Sequence, residues 1–305
     1  MNPKVLITGY PGFLADCLVS YLDPQGYDIY TLGLLNAPRN NHILSDLSEE
    51  IHLIHDIDFD IVLHAAGKAH TVPKNKKEED SFYKVNLNGT ANLIKALDNL
   101  STPSKSFIFI STVAVYGKEA GENIDETIEL AADTAYGKSK KLAEDYILNW
   151  KTTAKKTIIR LPLLVGKNPP GNLAKMIKSI KNGTYFNVGK GEAKRSMVLA
   201  DDIARFIPTL AQHEGVYNLT DGYHPTFAEL QNKFCDVLNK KKNPNIPYSI
   251  AKIVARIGDK WDRIPLNSNI LSKMTSNLTF SDEKSRKELG WSPRKVLDEI
   301  HNIFS

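Results

Sequence analysis

Cysteine is scarce in this chain: Cys17 and Cys235 are the only two in 305 residues. Two thiols so far apart build no disulfide framework, and no Cys/His spacing of a zinc site surrounds either one. Spacing places Cys17 on the apolar face of the first helix. Long apolar runs are lacking as well. The N-terminal run is only Val5-Leu6-Ile7, with no signal-peptide core, and nowhere do about 18 apolar residues follow one another as a membrane-crossing helix requires. Charge of one sign is also missing, since 39 Lys and Arg face 35 Asp and Glu for a net of +4. Nucleic-acid binding calls for a basic stripe. The lysine runs here (Lys74, Lys76, Lys77; Lys240, Lys241, Lys242) are short and loop-like, and the first leads straight into Glu78, Glu79 and Asp80. Both read as solvated surface. Among the eight histidines, His52 with His55 and His64 with His70 have pair-like spacing but no supporting carboxylate motif, so no metal site is expected. These absences predict a soluble, cytoplasmic protein of a reducing compartment with neither nucleic-acid nor membrane partners.

What is present is 42% hydrophobic content, enough at this length for a large core in one or two domains. Lys4 to Thr8 reads as a strand running into Gly9-Tyr10-Pro11-Gly12-Phe13-Leu14-Ala15; Leu14, Leu18 and Leu22 then keep helical spacing as far as Gly26. A glycine turn between a first strand and a helix N-terminus is an anion site, because backbone N–H groups and the helix dipole face the phosphate. Asp28 to Leu32 is the second strand. The acid that binds the ribose of NAD is expected at its end, yet the sequence there is Gly33-Leu34-Leu35-Asn36. NADP is therefore physically allowed, with Arg39 near enough to pair with a 2′-phosphate, and NAD is not excluded. Asp46-Leu47, after Ile43-Leu44, fits an adenine-edge contact and equally a helix cap.

Ile61 to His64 is the next strand, and Ala65-Ala66-Gly67 gives it a small-residue exit against which a flat cofactor can lie. A helix from Ser81 onward carries Phe82, Val85, Leu93, Ile94 and Leu97 on one side, with Asn86 placed to bond backbone near the site. Phe107 to Ile110 is a strand apolar on both faces that delivers Ser111 and Thr112 to its C-terminal end, where ligands bind in such sheets. Tyr136 and Lys140, four apart, share one face of the following helix. A hydroxyl, a phenol and an ammonium can thus converge. Tyr248 and Lys252 have the same spacing without such a strand upstream and read as ordinary surface. Thr157 to Leu161, ended by Pro162, is a sixth strand.

Alternating strands and helices over about 160 residues predict an α/β fold, a doubly wound parallel Rossmann sheet. Beyond Gly166 the pattern changes to the loop Pro169-Pro170-Gly171, a helix over 173–180, a polar hairpin-like segment from Lys190 to Ser196, and a helix beginning at Asp201-Asp202 that returns to the sheet. The final third, with Pro244, Pro247, Pro265 and Pro293, reads as a smaller, irregular lobe. The expected division is a dinucleotide-binding domain over 1–165 and about 197–220, and a substrate lobe over 166–196 and 221–305.

Together, Thr8-Gly9-x-x-Gly12-Phe13-Leu14, His64-Ala65-Ala66, Asn86-x-x-Gly89-Thr90, Ser111-Thr112-x-x-x-Tyr116-Gly117, Tyr136-Gly137-x-Ser139-Lys140, Arg160-x-Pro162 and Arg195-x-x-Val198-x-x-Asp201-Asp202 resemble the extended short-chain dehydrogenase/reductases, in their nucleotide-sugar epimerase/dehydratase branch. The resemblance covers nearly the whole chain. It implies Tyr136 as general acid/base, Lys140 as its partner and bond to the nicotinamide ribose, and Thr112 as the hydroxyl holding the reacting sugar oxygen. It further implies Ser111 in a supporting position, Asn172 on the substrate, and Arg195 clamping a sugar-nucleotide diphosphate, a task suited to bidentate guanidinium. An ammonium beside Tyr136 is expected to lower a phenol pKa of about 10 toward neutrality. Where the 4,6-dehydratases carry an Asp-Glu pair after the active hydroxyl, this chain has Val113-Ala114, which moves no protons.

The expectation is an NAD(P)-dependent nucleotide-sugar 4-epimerase. The alternatives are an NADPH-dependent 4-keto reductase and a catalytically silent NAD(P)-binding regulator. The resemblance also implies a homodimer joined through the helices beginning near Ser81 and Tyr136, where Leu142, Ala143, Tyr146 and Ile147 form an apolar stripe that core packing would explain equally well.

Overall fold

The structure, a computed structural model, describes residues 2–304 apart from 54–56, 243, 262–263 and 265. His55 and Pro265, singled out above, lie outside the described residues. Strand β1 (Lys4–Thr8) shows how the apolar pattern is used. Val5 and Ile7 join one buried cluster and Leu6 another, so the strand feeds hydrophobic side chains to both faces of its sheet. The same holds for β2 (Asp28–Gly33), β4 (Ile61–His64) and β5 (Ser106–Thr112), whereas β3 (His42–Leu44) is short and only partly covered. Fully burying one such side chain contributes roughly 1.5–3 kcal/mol, so a strand with two apolar faces is most stable between two helical layers.

Seven parallel strands form the central sheet, in the order Gly215–Asn218, Lys155–Leu161, β5, β4, β1, β2, β3. One face is covered by α1 (Phe13–Leu22) and the helix Ala200–Leu210, through Leu14, Leu18, Leu22, Ile203 and Ile207. The other is covered by α3 (Gly89–Asp98) and α4 (Ala135–Asn149), through Leu93, Leu97, Ala143 and Ile147. Chain order reverses between β1 and β4, and a crevice opens at the C-terminal ends of such strands.

The helix expected from Ser81 starts earlier, as α2 (Lys76–Tyr83). Asn75 caps it, accepting from the Glu78 amide at 2.9 Å, and Glu78 reaches back to the Lys74 amide at 2.8 Å. The charged run that reads as loop is a helical first turn in which acids offset the dipole. A π-helical stretch, Lys84–Asn88, then joins α2 to α3. Lys190–Ser196 is not a hairpin; Lys194 and Arg195 make isolated bridges to Thr226 and Leu278. Cys17 is only partly buried, and its thiol donates to Asp201 at 3.0 Å.

Outside the sheet, Leu173, Ile177, Leu230, Phe234, Val296 and Ile300 form one further cluster, and Ala251, Ala255, Leu266 and Leu271 another. Leu289 and Trp291 cross back to the sheet-side cluster, where the Trp291 indole donates to the Thr220 carbonyl at 2.9 Å.

Candidate active site

A cleft of about 1700 Å³ runs along the C-terminal ends of the sheet strands. Its floor is backbone. Gly9 (φ +88°) lies so close to Ala66 that a Cβ would come within 2.8 Å of that residue's backbone. A Cβ on Gly33 would fall 1.7 Å from the Tyr10 carbonyl oxygen, so the glycine turn is folded over the end of β2 and only glycine fits beneath it. The Gly9 and Tyr10 amides both donate to the Leu32 carbonyl, at 2.8 and 3.3 Å. Gly12 gives α1 no side-chain cap, which leaves first-turn amides available to an anion at the wall formed by Phe13 and Leu14.

Ala65, Ala66 and Gly67 line the next stretch of wall, with Asp46 and Leu47 across from them. Asp46 accepts from the Ser48 amide at 2.8 Å and the Ser48 hydroxyl at 2.7 Å, so it caps its own turn, and these bonds hold its carboxyl below the usual range. Two expected cofactor residues do not line the cleft. Arg39 is paired with Asp23, at 3.1 and 3.3 Å through its two terminal nitrogens. Asn86 is buried. It accepts from the Lys68 amide at 2.7 Å and donates to the Lys68 carbonyl at 3.1 Å and Ser139 at 2.9 Å, thereby fixing the loop after Gly67 to α4.

Thr112, Tyr136 and Lys140 come together at the centre. Thr112 ends β5 and caps the 3-10 turn Val113–Tyr116, while Thr134 caps α4 through the Gly137 amide at 3.1 Å and so sets the angle at which Tyr136 enters. The Tyr136 phenol and the Thr112 hydroxyl face the same part of the cleft. Lys140 donates to the Ile110 carbonyl at 2.6 Å, and its ammonium lies 3.7 Å from the centre of the Phe109 ring. Burial pulls its pKa down to about 7, against an upward pull from Glu144. Burial also pushes the Tyr136 phenol above its usual value, with the nearby Thr112 hydroxyl opposing. The expected lowering of the phenol by the ammonium is thus not found. The physical reason is that Lys140 is turned onto a carbonyl and an aromatic face, and desolvation dominates both groups.

Ser111 points the other way, as alternation along a strand requires. Its hydroxyl donates to Glu144, a buried carboxylate that Arg160 clamps at 2.7 Å. Arg160 continues to the Tyr116 hydroxyl at 3.1 Å, and that hydroxyl donates to Asn218 at 2.9 Å. His64, wholly buried, bridges the Thr8 and Thr90 hydroxyls at 2.8 and 2.9 Å; burial drives its pKa to about 3 and keeps it neutral. His70 lines the cleft instead, and a Cβ on Gly171 would meet its ring at 2.6 Å. Among the described residues no three His, Cys, Asp or Glu are grouped to hold a metal.

Pro162, which follows the Leu161 paired with Thr112 across the sheet, lines the cleft, as do Asn172 and Arg195. The Arg195 guanidinium donates to the backbone carbonyls of Lys194, Lys273 and Ser276 and lies 5.2 Å from the Phe227 ring centre, with burial lowering its pKa to about 10. Four cations that the motif reading passed over, Lys68, Lys118, Lys175 and Lys273, also line the cleft. Two had a signal: Lys118 directly follows Tyr116-Gly117, and Lys175 is one helical turn beyond Asn172.

The family model described as the NAD dependent epimerase/dehydratase family matches residues 5–220. A UDP-glucose 4-epimerase from Vibrio cholerae is 25% identical over 315 residues, spanning 98% of this chain and 93% of its own length. The N-acetyl-alpha-D-glucosaminyl-diphospho-ditrans,octacis-undecaprenol 4-epimerase of Escherichia coli O157:H7 is 28% identical over 272 residues, 83% of this chain and 78% of its own. The crystal structure of UDP-glucose 4-epimerase with UDP-glucose from Thermotoga maritima matches with a TM-score of 0.74 at 20% identity, covering 99% of this chain and 97% of that one; this likeness is one of fold.

Proposed function

The chain belongs to the NAD dependent epimerase/dehydratase family, enzymes of the extended short-chain dehydrogenase type, and we propose that it is a 4-epimerase of a diphosphate-linked sugar. The observation that carries this reading is the meeting of Thr112, Tyr136 and Lys140 on the wall of the glycine-floored cleft, with Lys140 one helical turn beyond Tyr136. The floor fits a dinucleotide, because the glycine turn packs Gly9 on the Ala66 backbone and Tyr10 over Gly33, so that the floor is bare backbone, and the first turn of α1 is uncapped by a side chain. Bound there, the dinucleotide supplies a hydride acceptor that also returns the hydride.

The chain's own residues do the rest. Thr112 holds the sugar oxygen, Tyr136 takes its proton and later gives it back, and Lys140, when protonated, stabilises the phenolate. Arg195, with Lys118, Lys175 and Lys273 on the same walls, suits the charge of the diphosphate. Val113 and Ala114 offer no acid or base for an elimination. The carrier beyond the diphosphate is a nucleotide in the Vibrio relative's name and a polyprenol in the Escherichia relative's. At the end of β2 there is no acid, and Arg39 is held by Asp23, so either NAD or NADP is accommodated; the family's description favours NAD.

We assign dinucleotide binding to 1–165 and about 197–220, and substrate binding to 166–196 and 221–305. We also assign a homodimer face to α2, α3 and α4. Of the apolar stripe on α4, Ala143 and Ile147 are in the core, while Leu142 and Tyr146 are 40% and 42% exposed and free to meet a partner.

The missing acid also favours a second reading, a one-way 4-keto reductase using NADPH. Purified protein offered UDP-glucose, UDP-N-acetylglucosamine and the polyprenol-linked sugar, without added reductant, separates the two. Appearance of a 4-epimer supports the epimerase. No epimer from any of them, with NADPH oxidised by a 4-keto sugar, supports the reductase. A silent regulator would do neither.

A further inference from the structure

We propose that the helix Tyr248–Gly258 and the turn after it dock on an anionic lipid bilayer. The helix buries Ala251, Ala255 and Gly258 against the lobe and turns its other side outward. Ile250, Ile253 and Ile257 stand 51%, 61% and 41% exposed at helical spacing, and Trp261, whose amide still bonds the Ile257 carbonyl at 3.1 Å, is 67% exposed. Tyr248 is half exposed at the other end. This is a ridge of isoleucines that ends in an exposed Trp261, while Tyr248 heads the neighbouring row at Lys252 and Arg256.

Beside the ridge runs a second stripe. Lys252, Arg256 and Lys260, spaced by four, are all exposed and form no ion pair among the described residues. Residues 240–260 carry six Lys or Arg against the single Asp259, in a chain whose total net charge is only +4. Asp259 is occupied with the Ser268 amide at 2.8 Å.

Apolar and basic stripes side by side on one outward helix face match a bilayer interface: the isoleucines enter the acyl boundary, the aromatic residues sit at headgroup level, and the cations meet anionic lipid. Such a helix lies on the surface and needs no spanning length, so the lack of a membrane-crossing helix among the described residues is no obstacle. A second copy fits less well, because a symmetric pairing of this face would bring two cation rows together. The helix packs through Ala251 and Ala255 on the helix Ser268–Thr275, whose Ile270, Lys273 and Met274 line the cleft. Docking therefore places the cleft mouth one helix away from the headgroups.

The test is co-sedimentation of the full protein with vesicles of phosphatidylcholine mixed with phosphatidylglycerol, and of phosphatidylcholine alone. Binding to the mixed vesicles that weakens with salt is expected. I253D/I257D should abolish it, and K252E/R256E should weaken it by on the order of tenfold or more, from roughly fivefold per cation. The side chains replaced are exposed, so both variants should keep the wild-type melting temperature. Absence of sedimentation with the mixed vesicles, or wild-type sedimentation of both variants, would overturn the proposal. So would vesicle indifference together with a self-association that I253D/I257D dissolves in sedimentation velocity, which would give the face to a second copy. The assay needs neither sugar nor dinucleotide, and Tyr136→Phe should bind vesicles as the wild type does, so its failure is distinct from failure of the epimerase reading.

Discussion

Arg160 and Glu144 form a salt bridge at 2.7 Å with their side chains only 6% and 1% exposed, directly behind the residues that line the cleft. The pair connects elements far apart in sequence. Ser111 of β5 donates to the carboxylate, the guanidinium bonds Tyr116, and Tyr116 bonds Asn218, whose carbonyl accepts from Ser285 at 3.0 Å. Lys140 lies one helical turn before Glu144 and draws its upward pKa pull from it.

Removing one partner of a buried pair strands the other charge, at a cost on the order of 3–5 kcal/mol. Glu144→Gln should therefore lose about that much stability in urea unfolding, with Glu144→Asp losing less. A Glu144→Gln protein as stable as the wild type would show that the pair does not hold β5, α4 and the strand Lys155–Leu161 together.

Lys140 has a folded pKa of about 7 against an ordinary 10.5. Between those values the unfolded chain binds a proton that the folded chain lacks, so this residue's contribution makes stability rise with pH across the window. Lys140→Met should flatten unfolding free energy against pH between about 7 and 10.5. His64, at about 3 against 6.5, has the same sign in a lower window, where acidification from 6.5 toward 3 removes stability. An unchanged slope in Lys140→Met would mean that the ammonium stays protonated in the fold.

Tyr136→Phe keeps the ring that packs near Phe82 and deletes only the phenol oxygen. A fall in kcat of roughly 10²–10⁴ is expected, with the melting temperature nearly unchanged. Thr112→Val should lower kcat as well and also lose the cap on the Ala114 amide, which donates to the Thr112 hydroxyl at 3.2 Å in the wild type. Steady-state kinetics beside thermal melts check both.

Gly33→Ala would drive a methyl group into the Tyr10 carbonyl, so it should weaken dinucleotide affinity at least tenfold and destabilise by about 1–3 kcal/mol. Arg39→Ala, by contrast, should leave the ratio of NAD to NADP affinity unchanged, because its guanidinium belongs to Asp23. Dinucleotide titration measures both, and a selective loss of NADP affinity in Arg39→Ala would restore the 2′-phosphate role.

Much of the fold is local and so was legible. The turn from β1 into α1, the apolar β5 and the Tyr136–Lys140 spacing each lie within one element or one connection, where periodicity and glycine placement speak directly. Pairings between distant segments left no such trace. Asp23 taking Arg39, Lys68 taking Asn86, and Trp291 returning to the sheet depend on how the chain closes. The start of α2 was missed because a capped first turn and a solvated loop share the same charged composition. Glu144 had one signal, an acid between Ala143 and Ile147 on a buried helix face, but only the position of Arg160 on the neighbouring strand gives it a purpose.

The most direct measurement follows the hydrogen at the reacting carbon. UDP-glucose, UDP-N-acetylglucosamine and the polyprenol-linked sugar, each deuterated at C4, would be incubated with the purified protein and NAD, with no reductant added. The account predicts a 4-epimer that keeps its deuterium in one of them, and none with Tyr136→Phe. Washed-out deuterium, or equal conversion by Tyr136→Phe, would contradict it.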